Sequence, residues 1–177
     1  MNTYSITDVG IERDHNEDHY ANYFHTHFTF LVIADGMGGH AAGEVASSLA
    51  ANTIRDYIIE NKARTDYERL LKEAFEKANE VVYSEANKEQ DYKSMGTTSV
   101  AAIILGDKVI IANVGDSRCY LWRDGEMTQL THDHSLVADL IRKGLLTEED
   151  AKTHPERSAV TRAIGSAETV EVDIITE

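Results

Sequence analysis

The amino-acid sequence predicts an α+β fold with antiparallel sheets, and the order of its segments supports this class. Strand-like segments open the chain, two long amphipathic stretches follow, and several short strand-like segments fill the second half. Strands and helices therefore occur in separate runs, whereas a βαβ fold would alternate them. The 177 residues fit one domain, and no repeat, low-complexity tract or Pro/Ser-rich linker divides them.

The first part of the chain contains two predicted strands. Residues Thr3 to Val9 alternate loosely, and Phe28 to Ala34 form an apolar, β-rich run typical of a buried strand. The polar segment Glu12 to Asp18 separates them. The second run stops at Asp35-Gly36-Met37-Gly38-Gly39, whose glycines indicate a tight turn.

Two helices are predicted after this turn. Apolar residues recur at helical spacing from Ala42 to Ile58. A second helix begins near Thr65, where Thr65 and Glu68 form a capping-box pattern. Its apolar face runs from Leu71 to Val82. We interpret both apolar stripes as core packing.

The second half of the chain is predicted to be a strand meander. Asp124-Gly125 is a strong signal for a two-residue hairpin turn. Short helices are predicted from Ser135 to Lys143 and from Thr147 onward. The predicted strands are Thr97 to Leu105, Lys108 to Val114, Arg118 to Arg123, Glu126 to Leu130 and Thr169 to Thr176.

The charge and cysteine content limit the possible functions. A formal net charge of -14 argues against a nucleic-acid-binding surface, because phosphate contacts need clustered Lys and Arg. The acids serve solubility, or some of them surround divalent cations. A single cysteine, Cys119, excludes an internal disulfide and suits a reducing cytoplasm. The sequence has no signal-peptide pattern and no apolar run of membrane-spanning length, so we expect a cytoplasmic protein.

Several acids lie where turns interrupt predicted strands. Asp35 ends an apolar strand before Gly36, Asp116 follows another strand, and Glu17 and Asp18 close the first polar segment. Hard cations such as Mg²⁺ and Mn²⁺ prefer carboxylate and carbonyl oxygens of this kind. Asp-Gly and Gly-Asp pairs are also ordinary turn formers, so each pair alone leaves both interpretations open.

A set of short segments, taken together and in order, resembles the metal-dependent protein phosphatase family (PPM, or type 2C) in its bacterial branch. These segments cover nearly the whole chain. They are Gly10-Ile11-Glu12-Arg13-Asp14-His15-Asn16-Glu17-Asp18, Ala34-Asp35-Gly36-Met37-Gly38-Gly39-His40, Ala42-Gly43-Glu44-Val45-Ala46, Met95-Gly96-Thr97-Thr98, Ala112-Asn113-Val114-Gly115-Asp116-Ser117-Arg118, Asp133-His134-Ser135, His154-Pro155 and Arg162-Ala163-Ile164-Gly165.

The resemblance implies an antiparallel β-sandwich flanked by helix pairs, in α-β-β-α layers, with metals at one end of the cleft between the sheets. It implies one phosphatase domain over residues 1–177, with a flap at about 135–165. The family continues with further strands and metal-binding aspartates, so we expect a domain incomplete at its C-terminus. A chain of this length alone is then expected to bind metal weakly and turn over little.

The resemblance also implies the metal ligands. Asp35 would bridge two metals, and the carbonyl of Gly36 would contact one of them. Glu17 would act through metal-bound water, and Asp116 would help to hold the third metal of bacterial members. The expected cofactors are therefore two ions, or three, of Mn²⁺ or Mg²⁺.

Substrate roles follow from the same resemblance. Arg13 would bind the substrate phosphate, and Asp18 would orient the nucleophilic water. Met37 stands where some eukaryotic members carry a histidine, so nearby His40 is a candidate for substrate contact or positioning. A surface histidine at a helix start is the alternative. We interpret His132-Asp133-His134 as structural rather than as a zinc site.

The implied activity is hydrolysis of phosphoserine and phosphothreonine in proteins by a metal-activated water, without a phosphoenzyme. Its substrates would be phosphorylated proteins, targets of a bacterial Ser/Thr kinase, and the protein would be a monomer. The alternative is a catalytically impaired, truncated phosphatase-like module that binds phosphopeptides or a partner. A third reading, another binuclear phosphoesterase, is less consistent with the sequence because such sites mix histidines with aspartates.

Overall fold

The computed structural model describes residues 2–11, 13–38, 41–88 and 92–177, and these form seven strands and four helices. The α+β class predicted from the sequence is confirmed. The elements in chain order are β1 (Asp18–Phe24), β2 (Thr29–Met37), α1 (Ala41–Glu60), α2 (Tyr67–Ala86), β3 (Gly96–Leu105), β4 (Lys108–Val114), β5 (Tyr120–Arg123), β6 (Glu126–Gln129), α3 (Leu136–Arg142), α4 (Glu148–Thr153) and β7 (Asp173–Thr176).

Five strands form one antiparallel sheet in the order β1-β2-β3-β4-β7. Strand β2 carries a run of apolar and β-branched residues that suits a pleated, half-buried position. The register pairs Asp18 of β1 with Asp35 of β2, and Asp35 with Thr98 of β3. Because directly paired residues share a face, these three side chains project from the same side of the sheet.

The helix pair α1–α2 covers the opposite face of this sheet. Phe30, Val32 and Ala34 of β2 point into this core together with Ile54 of α1 and Phe75 of α2. Burial of each large apolar side chain contributes about 1.5–3 kcal/mol to folding. The packing in this core therefore fixes the position of the end of β2 relative to the start of α1.

The other face of the sheet is apolar but less covered. Ile33 and Tyr20 are 53% and 41% exposed, whereas Ile111 is fully buried. Strands β5 and β6 form a separate two-stranded sheet around the Asp124-Gly125 turn. Of the predicted four layers, the described residues thus provide one helix pair, the sheet that it covers and a small second sheet.

The segment after β4 contains the two short predicted helices. The hydroxyl of Ser135 accepts a hydrogen bond from the Ala138 N–H at the start of α3, and that of Thr147 accepts one from Asp150 at the start of α4. A backbone bridge between Ser135 and Val160 closes this segment on itself. None of the helices in the described ranges is long and apolar enough to cross a membrane.

One predicted strand was wrong, and one observed strand was not predicted. Residues Thr3 to Val9 pair with no strand of the described part of the chain, and Tyr4 and Ile6 are each 94% exposed. β1 was not predicted, because its apolar residues are interrupted by the polar residues His19 and Asn22. Its pairing with β2 stabilises it in spite of this weak local pattern.

Candidate metal and phosphate site

Asp35 and Gly36 are held by backbone hydrogen bonds near the end of β2. The Thr97 hydroxyl donates to the Asp35 carbonyl at 2.8 Å, and the Gly36 N–H donates to the Glu17 carbonyl at 3.0 Å. Strands on both sides of β2 therefore fix its backbone at this point. The Asp35 carboxylate projects from a rigid position at the edge of the molecule.

The other predicted acids surround Asp35. Partial burial raises the pKa of Asp35, and the negative charges of Asp18, Asp116 and Glu17 add to this increase. The positive charge of Arg13 acts in the opposite direction. An ionised Asp35 is therefore disfavoured by its own neighbours, and a bound cation would relieve this repulsion.

Glu17 and Arg13 form an ion pair beside this cluster. The Arg13 Nη1 lies 2.8 Å from Glu17 Oε2, with side chains that are 72% and 13% exposed respectively. The second oxygen, Oε1 of Glu17, is buried without a hydrogen-bond partner among the described residues. Buried carboxylate oxygens are normally satisfied, so this atom suits a water molecule or another polar ligand.

Gly36 and Gly43 allow β2 and α1 to approach closely behind the acids. A Cβ at Gly36 would overlap the carbonyl group of Gly43, and a Cβ at Gly43 would overlap the Glu17 carboxylate. The close approach of β2 and α1 is possible only because both residues are glycine. The buried Glu17 oxygen therefore owes its position to the helix start.

We expect that Gly36→Ala lowers the free energy of unfolding by about 3 kcal/mol, because overlap with backbone cannot be relieved by a rotamer change. Urea unfolding measures this loss. Gly106→Ala is the control, since an added Cβ there meets open space and only the positive φ is penalised, at about 1–2 kcal/mol. Equal stability of the two variants would contradict the contact between β2 and α1.

Asp116 reaches the same region from β4. It follows Gly115, which has a φ of +105° and whose added Cβ would overlap Thr98. The hydroxyls of Thr98 and Ser117 lie 2.6 Å apart and connect this turn to β3. Since Thr98 also pairs with Asp35, one residue links the two acid-bearing strand ends.

The structure thus brings together six of the seven predicted site residues. They are Arg13, Glu17, Asp18, Asp35, Gly36 and Asp116. The seventh, His40, lies outside the described residues. Within the described ranges, no three Asp, Glu, His or Cys side chains are close enough to enclose a metal ion by themselves. Water would therefore have to complete any coordination shell built on Asp35, as Mg²⁺ and Mn²⁺ commonly accept.

One buried group next to this site was not assigned a catalytic or metal-binding role from the sequence. His134 lies against Gly115 and contacts Asp173, which in turn pairs with Arg162. The three side chains come from segments that are distant in the sequence, so the spacing of these residues along the chain does not indicate that they are in contact. The interpretation of His134 as structural is consistent with these contacts.

Comparison with known proteins identifies the family. A family model for protein phosphatase 2C matches residues 8–140, well over half of the chain.

The chain belongs to the protein phosphatase 2C family.

Relatives of this family cover nearly all of the chain. The serine/threonine phosphatase stp of Listeria innocua serovar 6a is 43% identical over 171 residues, which are 94% of this chain and 68% of that protein. The crystal structure of the serine/threonine phosphatase Stp1 from Staphylococcus aureus superimposes with a TM-score of 0.91 at 36% identity, over 97% of this chain and 69% of that one. The resemblance to the bacterial branch, and with it the enzyme class of serine/threonine phosphatase, is confirmed.

A further solved phosphatase 2C relative contains metal. The catalytic domain of the serine/threonine protein phosphatase PstP, solved in complex with two manganese ions, has a TM-score of 0.77 at 34% identity. The alignment covers 94% of this chain and 68% of that domain. The acid-rich strand ends described above therefore lie in a fold that binds manganese in another family member.

Proposed function

We propose that this phosphatase hydrolyses phosphoserine and phosphothreonine in proteins with a water activated by Mn²⁺ or Mg²⁺, without a phosphoenzyme. The observation that carries the proposal is the convergence of three acids on Asp35, each of which raises its pKa, beside the Arg13 guanidinium. Mutual repulsion without a bound cation is costly for folding, and it is typical of sites that hold metal ions.

The residues present fit divalent cations. Asp35 and the Gly36 carbonyl would supply hard oxygen ligands on a fixed backbone. Glu17 Oε1, which has no hydrogen-bond partner in the described part of the chain, suits a hydrogen bond from coordinated water. Asp116 supplies a further carboxylate for an additional ion. When bound, the cations would lower the pKa of water towards neutrality and offset the charge of the phosphate.

The chain's own side chains would bind and orient the substrate. Arg13 is exposed and keeps donors besides the one used by Glu17, so it can bind phosphate oxygens with its planar guanidinium. Asp18, paired with Asp35 on the same face, would accept a hydrogen bond from the attacking water and hold it in line with phosphorus. His40 remains our candidate for substrate contact or positioning.

Covalent catalysis through cysteine does not suit this chain. Its single cysteine, Cys119, lies just before β5, and burial raises the pKa of its thiol. A raised pKa leaves less thiolate, the nucleophilic form. This disfavours a cysteine phosphoenzyme, and the mechanism that we propose is direct attack of water on phosphorus.

Other parts of the proposal concern the context of the enzyme. We infer one phosphatase domain in which residues 135–165 act as a flap. The substrates would be phosphorylated proteins made by a bacterial Ser/Thr kinase. We place the protein in the cytoplasm as a monomer, without nucleic-acid partners.

A phosphothreonine peptide tests the proposal. We expect phosphate release with Mn²⁺ or Mg²⁺ and none with EDTA, with recovery when metal is restored. Phosphate release in EDTA would refute the metal requirement, and radiolabelled phosphate retained on the denatured protein would refute the direct attack of water. Peptide binding without release at saturating metal would instead support a binding module.

A further inference from the structure

His134 occupies a buried junction beside the Asp116 turn. It is only 4% exposed, and it lies at the start of the segment that contains α3 and α4. The Thr161 N–H, at the end of the same segment, donates to its carbonyl at 2.8 Å. One residue therefore connects the start and the end of this segment to the sheet.

His134 binds both polar backbone atoms of Gly115. The Gly115 N–H donates to the ring Nδ1 at 3.0 Å, and the His134 N–H donates to the Gly115 carbonyl at 3.0 Å. This carbonyl belongs to the peptide group that joins Gly115 to Asp116. The ring of His134 thus holds the Val114–Gly115 peptide, and its main chain holds the Gly115–Asp116 peptide, whose carbonyl also accepts from the Asn113 amide at 3.3 Å.

The ring has a defined tautomer. Because Nδ1 accepts a hydrogen bond from an amide, the proton of the neutral ring must lie on Nε2. Nε2 then donates to Asp173 Oδ2 at 3.0 Å. Arg162 Nη1 lies 3.2 Å from the same nitrogen, but both atoms carry protons in this tautomer, so Arg162 donates to Asp173 instead. The imidazole is therefore held from both sides, and it cannot rotate without losing one of the two bonds.

Asp173 is itself anchored. Its Oδ1 accepts from Arg162 Nη1 at 2.7 Å, and its backbone pairs with Asn113 in β4. Burial alone would raise the pKa of Asp173, but the hydrogen bonds from His134 and Arg162 outweigh burial and lower it. The carboxylate is thus ionised and forms a strong acceptor for the ring.

We propose that His134 is a positioning residue, whose ring holds the Gly115 N–H directly after β4 so that the next residue, Asp116, can present its carboxylate to a divalent cation. The inference rests on the proposed function, because it assigns Asp116 to metal binding. A buried histidine that only filled space would need neither the bond from the Gly115 N–H to Nδ1 nor an ionised partner on Nε2. Its removal would also affect stability without affecting the metal. The bond from the His134 N–H to the Gly115 carbonyl is a main-chain contact and does not depend on the ring.

Two isosteric variants separate the two ring contacts. In His134→Asn the amide oxygen lies near the position of Nδ1, so the bond from Gly115 is kept and the bond to Asp173 is lost. In His134→Gln the amide nitrogen lies near Nε2, so the bond to Asp173 is kept and the bond from Gly115 is lost. The pair therefore tests the contact to Gly115 with two neutral amide side chains, of which asparagine is shorter by one methylene.

The first readout requires no metal. We expect the Gly115 amide to keep its protection from hydrogen exchange in His134→Asn and to lose it in His134→Gln, measured by NMR on the metal-free proteins. Equal protection in both variants would overturn the contact.

The second readout is the affinity for Mn²⁺ from calorimetry. We expect His134→Gln to weaken the Asp116-dependent binding by roughly 10-fold, the lower end for groups that orient metal ligands, and His134→Asn to stay near wild type. The KM for the phosphopeptide at saturating Mn²⁺ should not change. Unchanged Mn²⁺ affinity in His134→Gln would overturn the inference.

Asp116→Asn separates this inference from the proposed function. If Asp116→Asn leaves Mn²⁺ binding unchanged, the metal role of Asp116 fails, and the role of His134 fails with it. If Asp116→Asn weakens binding but His134→Gln does not, only the role of His134 fails. Because His134 would act through Asp116, the double variant should bind Mn²⁺ as weakly as Asp116→Asn alone.

If His134→Gln does not fold, Asp173→Ala tests the positioning role of His134 without changing the histidine itself. Asp173→Ala changes a side chain that is 34% exposed and removes the anchor of Nε2 while the ring remains. Unlike the asparagine variant, in which the bond from Gly115 is kept, the unanchored ring can turn Nδ1 away from Gly115. We therefore expect the Gly115 amide to lose protection from hydrogen exchange and the Mn²⁺ affinity to fall several-fold together. Wild-type affinity in Asp173→Ala would then count against the positioning role.

Discussion

Replacement of Asp35 by asparagine is expected to lower phosphopeptide hydrolysis by about a thousand-fold. The asparagine amide would keep the size of the side chain but remove the charge on which the proposed cations depend. Loss of metal-ion stabilisation of the transition state costs roughly 4 kcal/mol, which corresponds to three powers of ten in rate. Phosphate release at saturating Mn²⁺ measures the effect.

Thermal unfolding of the same variant tests whether the loss comes from the metal site rather than from misfolding. Mn²⁺ at 100 times its Kd should stabilise the wild type by about 2.7 kcal/mol, or roughly 5–10 °C, and should leave Asp35→Asn unchanged. Without metal, the variant should be at least as stable as the wild type, because the repulsion from Asp18 and Asp116 is gone. Wild-type activity in this variant would refute the proposed metal site.

The raised pKa of Asp35 predicts how the stability of the metal-free protein depends on pH. Since the pKa of Asp35 is raised in the folded protein, folding favours its protonated form. The stability that this group contributes to the metal-free protein is full below its unfolded-state pKa and is lost as the pH rises through the folded pKa. The Asp35→Asn variant should lack this part of the dependence of the free energy of unfolding on pH.

Replacement of Arg13 by alanine is expected to lower kcat/KM for the phosphopeptide by about 10- to 100-fold. Hydrogen bonds to a charged group contribute roughly 1.5–3 kcal/mol, and the Arg13 guanidinium can form two of them with one phosphate. The Arg13 side chain is 72% exposed, but its removal leaves the largely buried Glu17 carboxylate without this ion pair, so thermal unfolding of the variant is measured beside the kinetics. Steady-state kinetics at saturating Mn²⁺ measures the change.

Arg13→Lys is the matched control. It keeps the positive charge but loses the planar arrangement of donors, so we expect a loss between those of the wild type and the alanine variant. Calorimetry should show unchanged Mn²⁺ affinity for Arg13→Lys. A kcat/KM for Arg13→Ala within two-fold of wild type would show that phosphate is bound elsewhere.

The sequence predicted the fold class and the site in different ways. Strand β2 and helices α1 and α2 were recognisable from local periodicity, because each buries one apolar face in a shared core. The acids at strand ends were visible as a pattern, but their convergence followed only from the resemblance to a known family. Strand order brings Asp18, Asp35 and Asp116 together, and single-sequence periodicity does not specify strand order.

Other features could not be predicted from local pattern. β1 depends on pairing with β2 rather than on its own alternation, and Thr3 to Val9 alternate without forming a strand. The junction of His134, Asp173 and Arg162 joins residues up to 39 positions apart through side-chain bonds. Such contacts are set by tertiary packing, which leaves no periodic signal.

In the proposed mechanism, the ion pair of Arg13 with Glu17 would make substrate and cofactor binding interdependent. The guanidinium that would meet the phosphate also holds Glu17, whose other oxygen would face coordinated water. A phosphate that draws Arg13 towards itself changes the field at Glu17, and a cation that reorders Glu17 changes the donors left on Arg13. By thermodynamic reciprocity, each ligand must alter the affinity for the other by the same factor. Inorganic phosphate, the reaction product, would thus inhibit with a strength set by the manganese concentration.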